Sequence, residues 1–198
     1  MACSDSMKVI IMRKLTVFNM ISLDGYFVDA GNDMSWAHQS YADEEWRTFV
    51  SENAKGGGVL LFGRITYSLM ASYWPMPHAI QNDPVVAEQM NNLPKVVFSR
   101  TMDHASWNNT TLVKGDLAAE VRKMKSESGD GLVIMGSGSI VSQLTAEKLI
   151  DEYQIIIVPI ILGKGRTLFE GITEKHPLKL IKSRTFNNGN VLLRYEPA

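Results

Sequence analysis

Five short glycine- or serine-bearing motifs follow one another along this chain, most of them directly after an apolar, β-branched run. They are Ser22-Leu23-Asp24-Gly25, Phe62-Gly63-Arg64-Ile65-Thr66, Phe98-Ser99-Arg100-Thr101, Met135-Gly136-Ser137-Gly138-Ser139 and Pro159-Ile160-Ile161-Leu162-Gly163-Lys164-Gly165. A helical pattern follows two of them. Strand, glycine turn, helix is how an open α/β sheet presents backbone amides and small side chains to a phosphorylated ligand. One such motif says little; five in order restrict the fold class severely.

A chain of 198 residues suits one globular domain, with a core large enough to stand without disulfides or metals. Its 20 basic and 21 acidic residues leave a net charge of -1, which gives no electrostatic case for a nucleic-acid partner. Cys3 is the single cysteine, so an internal disulfide is excluded. His38, His78, His104 and His176 are scattered, zinc-spaced Cys/His pairs are absent, and no metal site is expected. No apolar run approaches membrane-spanning length, and the first is too short for a signal-peptide core. A cytoplasmic protein without a membrane partner is therefore expected. Early methionines suggest a leader or extended start over residues 1–12, ahead of a single domain at 13–198.

The pattern predicts strands at Lys14–Met20, Gly58–Phe62, Lys95–Ser99, Thr110–Val113, Gly131–Met135 and Asp151–Pro159. Helices are expected at Asp43–Asn53, Arg64–Ser72, Asp116–Lys125 and Ser139–Glu147, with Asp116 as an N-cap. Pro75, Pro77 and Pro84 make Tyr73–Pro84 an expected loop. At the end, Asn187-Asn188-Gly189-Asn190 between Leu178–Phe186 and Val191–Tyr195 is a strong hairpin signal. The sum is a three-layer α/β/α domain whose central sheet is mixed, mostly parallel, and finished by a C-terminal antiparallel hairpin.

Chemistry concentrates at the turns. At Gly63-Arg64-Ile65-Thr66 the backbone can approach a ligand closely, and the first helical N–H groups lack internal partners. A phosphate there meets those amides, the helix dipole, and the Arg64 and Thr66 side chains. An ordinary tight turn with a solvated arginine would look the same. Ser99 and Arg100, at a strand's carboxyl end, suit an adenosine 2′-phosphate, although a surface arginine at a strand end is common. Gly136, Ser137, Gly138, Ser139 and Ile140 repeat the phosphate-cradle logic before a helix, without forming the G-x-G-x-x-G fingerprint; a helix start capped by Ser137 or Ser139 would look the same. Asp24 and Asp43 are the candidate catalytic carboxylates, although Asp24 also suits a turn and Asp43 a helix start. Trp36 suits either a pocket wall or the core.

Taken together, these motifs resemble the dihydrofolate reductase superfamily, and most closely the reductase (RibD C-terminal) domain of bifunctional riboflavin-biosynthesis proteins and its stand-alone relatives. The resemblance spans about Lys14 to Glu196. It implies NADPH as cofactor, with Gly63, Arg64 and Thr66 at its phosphates and Ser99 and Arg100 at the adenosine ribose phosphate. Gly136 to Ile140 would lie on the pyrophosphate–nicotinamide side, and Asp24 near the ribosyl part of a substrate. It also implies a homodimer formed through the 155–162 run and the hairpin. Two departures stand out. Dihydrofolate reductases carry a carboxylate soon after a Met-Pro-Trp segment, which is Met34-Ser35-Trp36 here, and Asp43 supplies that acid only if two residues are inserted; the family's Gly-Gly pair is Gly136-Ser137.

The reading is an NADPH-dependent reductase of the 5-amino-6-(5-phosphoribosylamino)uracil reductase type. It would transfer hydride to a carbonyl or imine of a small substrate. The alternatives are a dihydrofolate or pterin reductase and a non-catalytic NADP-binding dimer.

Overall fold

The computed structural model describes residues 12–38 and 43–198; apart from Met12, the expected leader lies outside them. The first strand, β1 (Leu15–Ser22), alternates buried and half-buried residues and ends at the Asp24-Gly25 turn. Next come β2 (Tyr26–Asp29), a 3-10 turn (Ser35–His38) and α1 (Glu44–Lys55). From there β3 (Val59–Gly63) leads directly into α2 (Arg64–Tyr73). Three short units succeed them: α3 (Pro77–Asn82), α4 (Pro84–Asn92) and β4 (Lys95–Phe98). The middle of the chain is completed by β5 (Thr110–Val113), α5 (Leu117–Ser126), β6 (Leu132–Met135) and α6 (Gly138–Ala146). Finally β7 (Glu152–Val158) is followed by β8 (Gly165–Thr167) and the hairpin β9 (Leu178–Thr185) and β10 (Val191–Pro197).

Eight strands form one sheet in the order β5-β4-β3-β6-β1-β7-β10-β9. The first six run parallel, and β10 and β9 join antiparallel. The expected mixed, mostly parallel sheet with its C-terminal hairpin is therefore the observed one. Alternation along each strand feeds two opposed layers. Leu15, Val17, Leu61, Ile134 and Ile155 pack against Val121, Ile140, Val141 and Leu144 of α5 and α6. Leu60, Phe62 and Val97 face the opposite way, toward Tyr67, Val86 and Met90 of α2 and α4. On that second face Trp46 of α1 meets Ile156, Leu192 and the edge of Phe186, whose ring lies 5.0 Å away. Trp36 belongs to this cluster and is 7% exposed, so it fills core.

Two features differ from the sequence expectation. Tyr73–Pro84 is not an irregular loop, because Pro77 and Pro84 occupy the first turns of α3 and α4. In those positions the missing N–H has no helical partner to lose and the fixed φ suits the helix. The three prolines punctuate helices here rather than exclude them. Secondly, β2 and β8 pair antiparallel in a small separate sheet, with Val28 opposite Arg166. Both strands are too short to announce themselves by alternation.

A candidate nucleotide-binding site at the carboxyl ends of the strands

Four adjacent strands, β5, β4, β3 and β6, all end at one edge of the sheet. Their terminal turns line a cavity of about 460 Å³. Every residue the sequence proposes for the cofactor is brought to this wall: Gly63, Arg64 and Thr66; Ser99 and Arg100; and Gly136 through Ile140. The convergence follows from topology, since parallel strands present their carboxyl ends together.

At the first turn, Gly63 is the residue preceding α2 and no side chain caps that helix. Among the described residues, the amides of its first turn thus have no side-chain cap. Arg64 is exposed beside them, whereas Thr66 is 9% exposed. At the β4 end, the Ser99 hydroxyl accepts the N–H groups of Thr101 and Met102 at 3.2 and 3.0 Å. That holds the turn and leaves Arg100 at the surface.

The turn after β6 is the most constrained. Gly136 has φ 78°, and a Cβ there would meet the Thr66 methyl at 2.8 Å. Ser137 is also left-handed, at φ 75° and ψ 85°, a conformation that costs a residue bearing a Cβ. Its hydroxyl accepts the Gly63 N–H at 2.8 Å and donates to Thr66 Oγ1 at 3.0 Å. A Cβ added to Gly138 would touch the edge of Phe27 at 2.8 Å.

Neither candidate carboxylate is part of the described cavity wall. Asp24 lies below the ordinary carboxylate range, held there first by the Ser22 hydroxyl and then by the backbone amides of Gly163 and Leu162. Those contacts measure 2.6, 2.7 and 3.1 Å. Asp43 caps α1 by accepting the Trp46 N–H at 3.2 Å and borders a separate groove with Glu45 and Arg184. The second oxygen of Asp43 is buried with no described partner.

Sequence reasoning passed over the far wall. Phe27 and Val28 from β2, Asn32 and Met34 beyond it, Arg166 from β8 and Gln143 from α6 complete the lining. A signal existed, since Arg166 directly follows the last of the five motifs and Phe27 comes two residues after the first. Only the β2–β8 pairing shows that these motifs meet. Asp116, the N-cap of α5, is the one carboxylate in the described lining, against Arg64, Arg100 and Arg166. The wall is thus cationic in a protein whose overall charge is -1. Guanidinium groups, uncapped helical amides and a threonine hydroxyl are a donor set that fits a phosphorylated, acceptor-rich ligand. No group of acidic, histidine and cysteine side chains suited to a metal ion occurs among the described residues. Nor, among them, is any helix long and apolar enough to cross a membrane.

Comparison with known proteins bears on the family and the fold. The model of the RibD C-terminal domain family matches residues 13–192. Among solved structures, a putative riboflavin biosynthesis protein from Shewanella sp. PV-4 superposes with a TM-score of 0.68 at 24% identity, covering 93% of this chain and 99% of that one. A diaminohydroxyphosphoribosylaminopyrimidine deaminase/5-amino-6-(5-phosphoribosylamino)uracil reductase from Thermotoga maritima gives 0.67 at 15% identity, covering 94% of this chain and 57% of the larger protein. Dihydrofolate reductase from Enterococcus faecalis, complexed with NADP(H), gives 0.62 at 14% identity, covering 93% and 96%. At these identities the structural matches show a shared fold, the dihydrofolate reductase-like one.

Proposed function

The chain belongs to the RibD C-terminal domain family, and from that premise we propose that it is an NADPH-dependent reductase acting on a carbonyl or imine of a small substrate. The observation that carries this reading is the convergence of Arg64, Arg100 and Arg166 with the uncapped start of α2 on one cavity. NADPH supplies a hydride from its nicotinamide ring. Arg64, Thr66 and the α2 amides would hold its diphosphate, with Gly136 to Ile140 alongside. Ser99 and Arg100 would hold the 2′-phosphate. Phe27, Val28 and Met34 form an apolar side of the cavity, where they would limit water and help to hold a substrate beside the cofactor. Catalysis by this chain is then mainly a matter of orientation. The proton would come from solvent, since Asp24 and Asp43 lie outside the described wall and Asp116, the carboxylate within it, caps α5.

The substrate class we propose is the phosphoribosylamino-pyrimidine type. The pterin alternative leans on Asp43 in the cavity, and Asp43 stands outside the described wall as the cap of α1. We also propose that the protein works as a homodimer through β9. That strand is exposed along its whole length and carries Leu178, Leu180 and Ile181 at the open sheet edge.

The test is a titration with NADPH and, separately, NADH, followed by nicotinamide fluorescence. Micromolar NADPH binding with much weaker NADH binding is expected. In Arg64→Ala/Arg100→Ala the preference for NADPH should disappear. Failure of the wild type to bind either cofactor would overturn the reductase reading; binding without turnover of any carbonyl or imine would leave the non-catalytic alternative. Sedimentation of the wild type tests the dimer.

A further inference from the structure

Ser137 is a buried polar residue whose side chain the cofactor reading leaves without a task of its own. It stands at φ 75° with 8% exposure, where its neighbour Gly136 is a glycine at φ 78°. Glycine would take this conformation without strain, so the side chain has to justify the cost. What it does is bridge two turns 71 to 74 positions apart in sequence. A backbone N–H can only donate, so the bond from Gly63 N at 2.8 Å makes Ser137 Oγ an acceptor. An oxygen that accepts becomes a better donor, and the serine proton goes to Thr66 Oγ1 at 3.0 Å. The Thr66 methyl fills the space that a Cβ on Gly136 would need. With Oγ1 already accepting from serine, the threonine proton is left for the cavity that Thr66 lines.

We infer that Ser137 is a positioning residue: a directed chain, Gly63 N–H to Ser137 O–H to Thr66 O–H, holds the threonine hydroxyl as a fixed donor toward a ligand diphosphate. This rests on the NADPH reading above. A fixed donor suits an anionic acceptor such as a diphosphate oxygen, to which its hydrogen bond is charge-assisted. It also locks the start of α2 to the turn before α6, so that both sets of amides face the ligand in one geometry.

The test uses Ser137→Gly, which removes the hydroxyl and relieves the backbone, together with Thr66→Val and the double variant. Each is titrated with NADPH, with ADP-ribose, and with adenosine 2′-phosphate, which lacks the diphosphate. Ser137→Gly and Thr66→Val should each weaken NADPH and ADP-ribose ~10-fold, the loss of about one good hydrogen bond. The double variant should be no weaker than Thr66→Val alone, because the two residues act as one unit. Adenosine 2′-phosphate should bind all four proteins alike, which shows that Ser137→Gly is folded. Wild-type affinity in Ser137→Gly, additive losses in the double variant, or an equal loss for adenosine 2′-phosphate would each overturn the role of Ser137 while leaving the cofactor reading intact. A wild type that binds no NADPH overturns the cofactor reading, and the role of Ser137 with it.

Discussion

The Asp24 carboxylate accepts the backbone N–H of Gly163 at 2.7 Å, across 139 positions of chain. With a second bond from Leu162 N at 3.1 Å, it pins the loop after β7 to the turn after β1. That loop leads into β8 and so into Arg166, so Asp24 governs the far wall of the cavity from outside it.

Asp24→Ala should therefore raise amide exchange at Leu162 and Gly163 far more than elsewhere, because those two N–H groups lose their acceptor. Asp24→Asn keeps one acceptor oxygen and should fall in between. The carboxyl lies below its ordinary value, so its contribution is present at neutral pH and lost as acid protonates it in the folded protein. Exchange at the two amides that is insensitive to both substitutions would show that the loop is held by something else.

At the opposite end of the sheet, Glu152 joins three strands. Its side chain is 4% exposed and lies 2.6 Å from Lys14 Nζ and 2.7 Å from the Arg194 guanidinium. Burial alone would raise its carboxyl, but hydrogen bonds from Arg194, Lys14 and Gln154 outweigh it and hold the value at about 2. The unfolded chain protonates near 4.5. Stability from this group is thus complete above the unfolded value and drains away as pH falls from there toward 2. Glu152→Gln should flatten that acid limb and cost about 1–2 kcal/mol at neutral pH, because Arg194 loses its carboxylate while the half-exposed Lys14 keeps Glu196. Urea denaturation at neutral and acid pH reads both. Equal losses at the two pH values would refute the ionic account.

Lys95 is 1% exposed, and its ammonium donates to the carbonyls of Asn91, Leu93 and Asn108 at 3.1, 2.7 and 3.1 Å. It also stands 4.5 Å from the centre of the Trp107 ring. The three carbonyls are the end of α4 and the approach to β5, so the lysine joins the flanks of β4, whose far end carries Ser99 and Arg100. Lys95→Met fills the volume but strands those acceptors, and about 2–4 kcal/mol should be lost. Thermal melts measure it; a neutral outcome would mean that the carbonyls find other donors.

The sequence made the strand order's consequence legible before the order itself. Glycine turns after apolar runs are local signals, and Gly63, Ser99 and Gly136 could be placed at strand ends without knowing which strands are neighbours. Asp116 as a cap was equally local, and its carboxylate accepts the Ala119 N–H at 2.9 Å. What stayed hidden depends on distant pairing. Asp24 looked catalytic because an acid beside a conspicuous turn suits a substrate, and its partners at 162 and 163 are invisible to any local window. Arg166 lines the cavity only because Gly165-Arg166-Thr167 pairs with β2. Pro77 and Pro84 misled for a different reason: the same residue that breaks a helix interior opens a helix, and composition does not separate the two.

Gly138 offers the sharpest steric test of that far wall. It opens α6, where alanine would ordinarily favour the helix. Yet an added Cβ would lie 2.8 and 3.1 Å from Phe27 Cε1 and Cζ, too close for either to stay in place. Phe27 is 6% exposed and packed in the core, so its ring has little room to retreat. Gly138→Ala should therefore cost about 1–3 kcal/mol despite its better helix propensity. Since Phe27 and Gly138 both line the cavity, NADPH affinity should fall with it. Shortening the opposing side chain in Phe27→Leu/Gly138→Ala should recover much of the stability. If Gly138→Ala melts with the wild type, the wall yields more easily than its packing implies, and β2 is not the rigid side of the site.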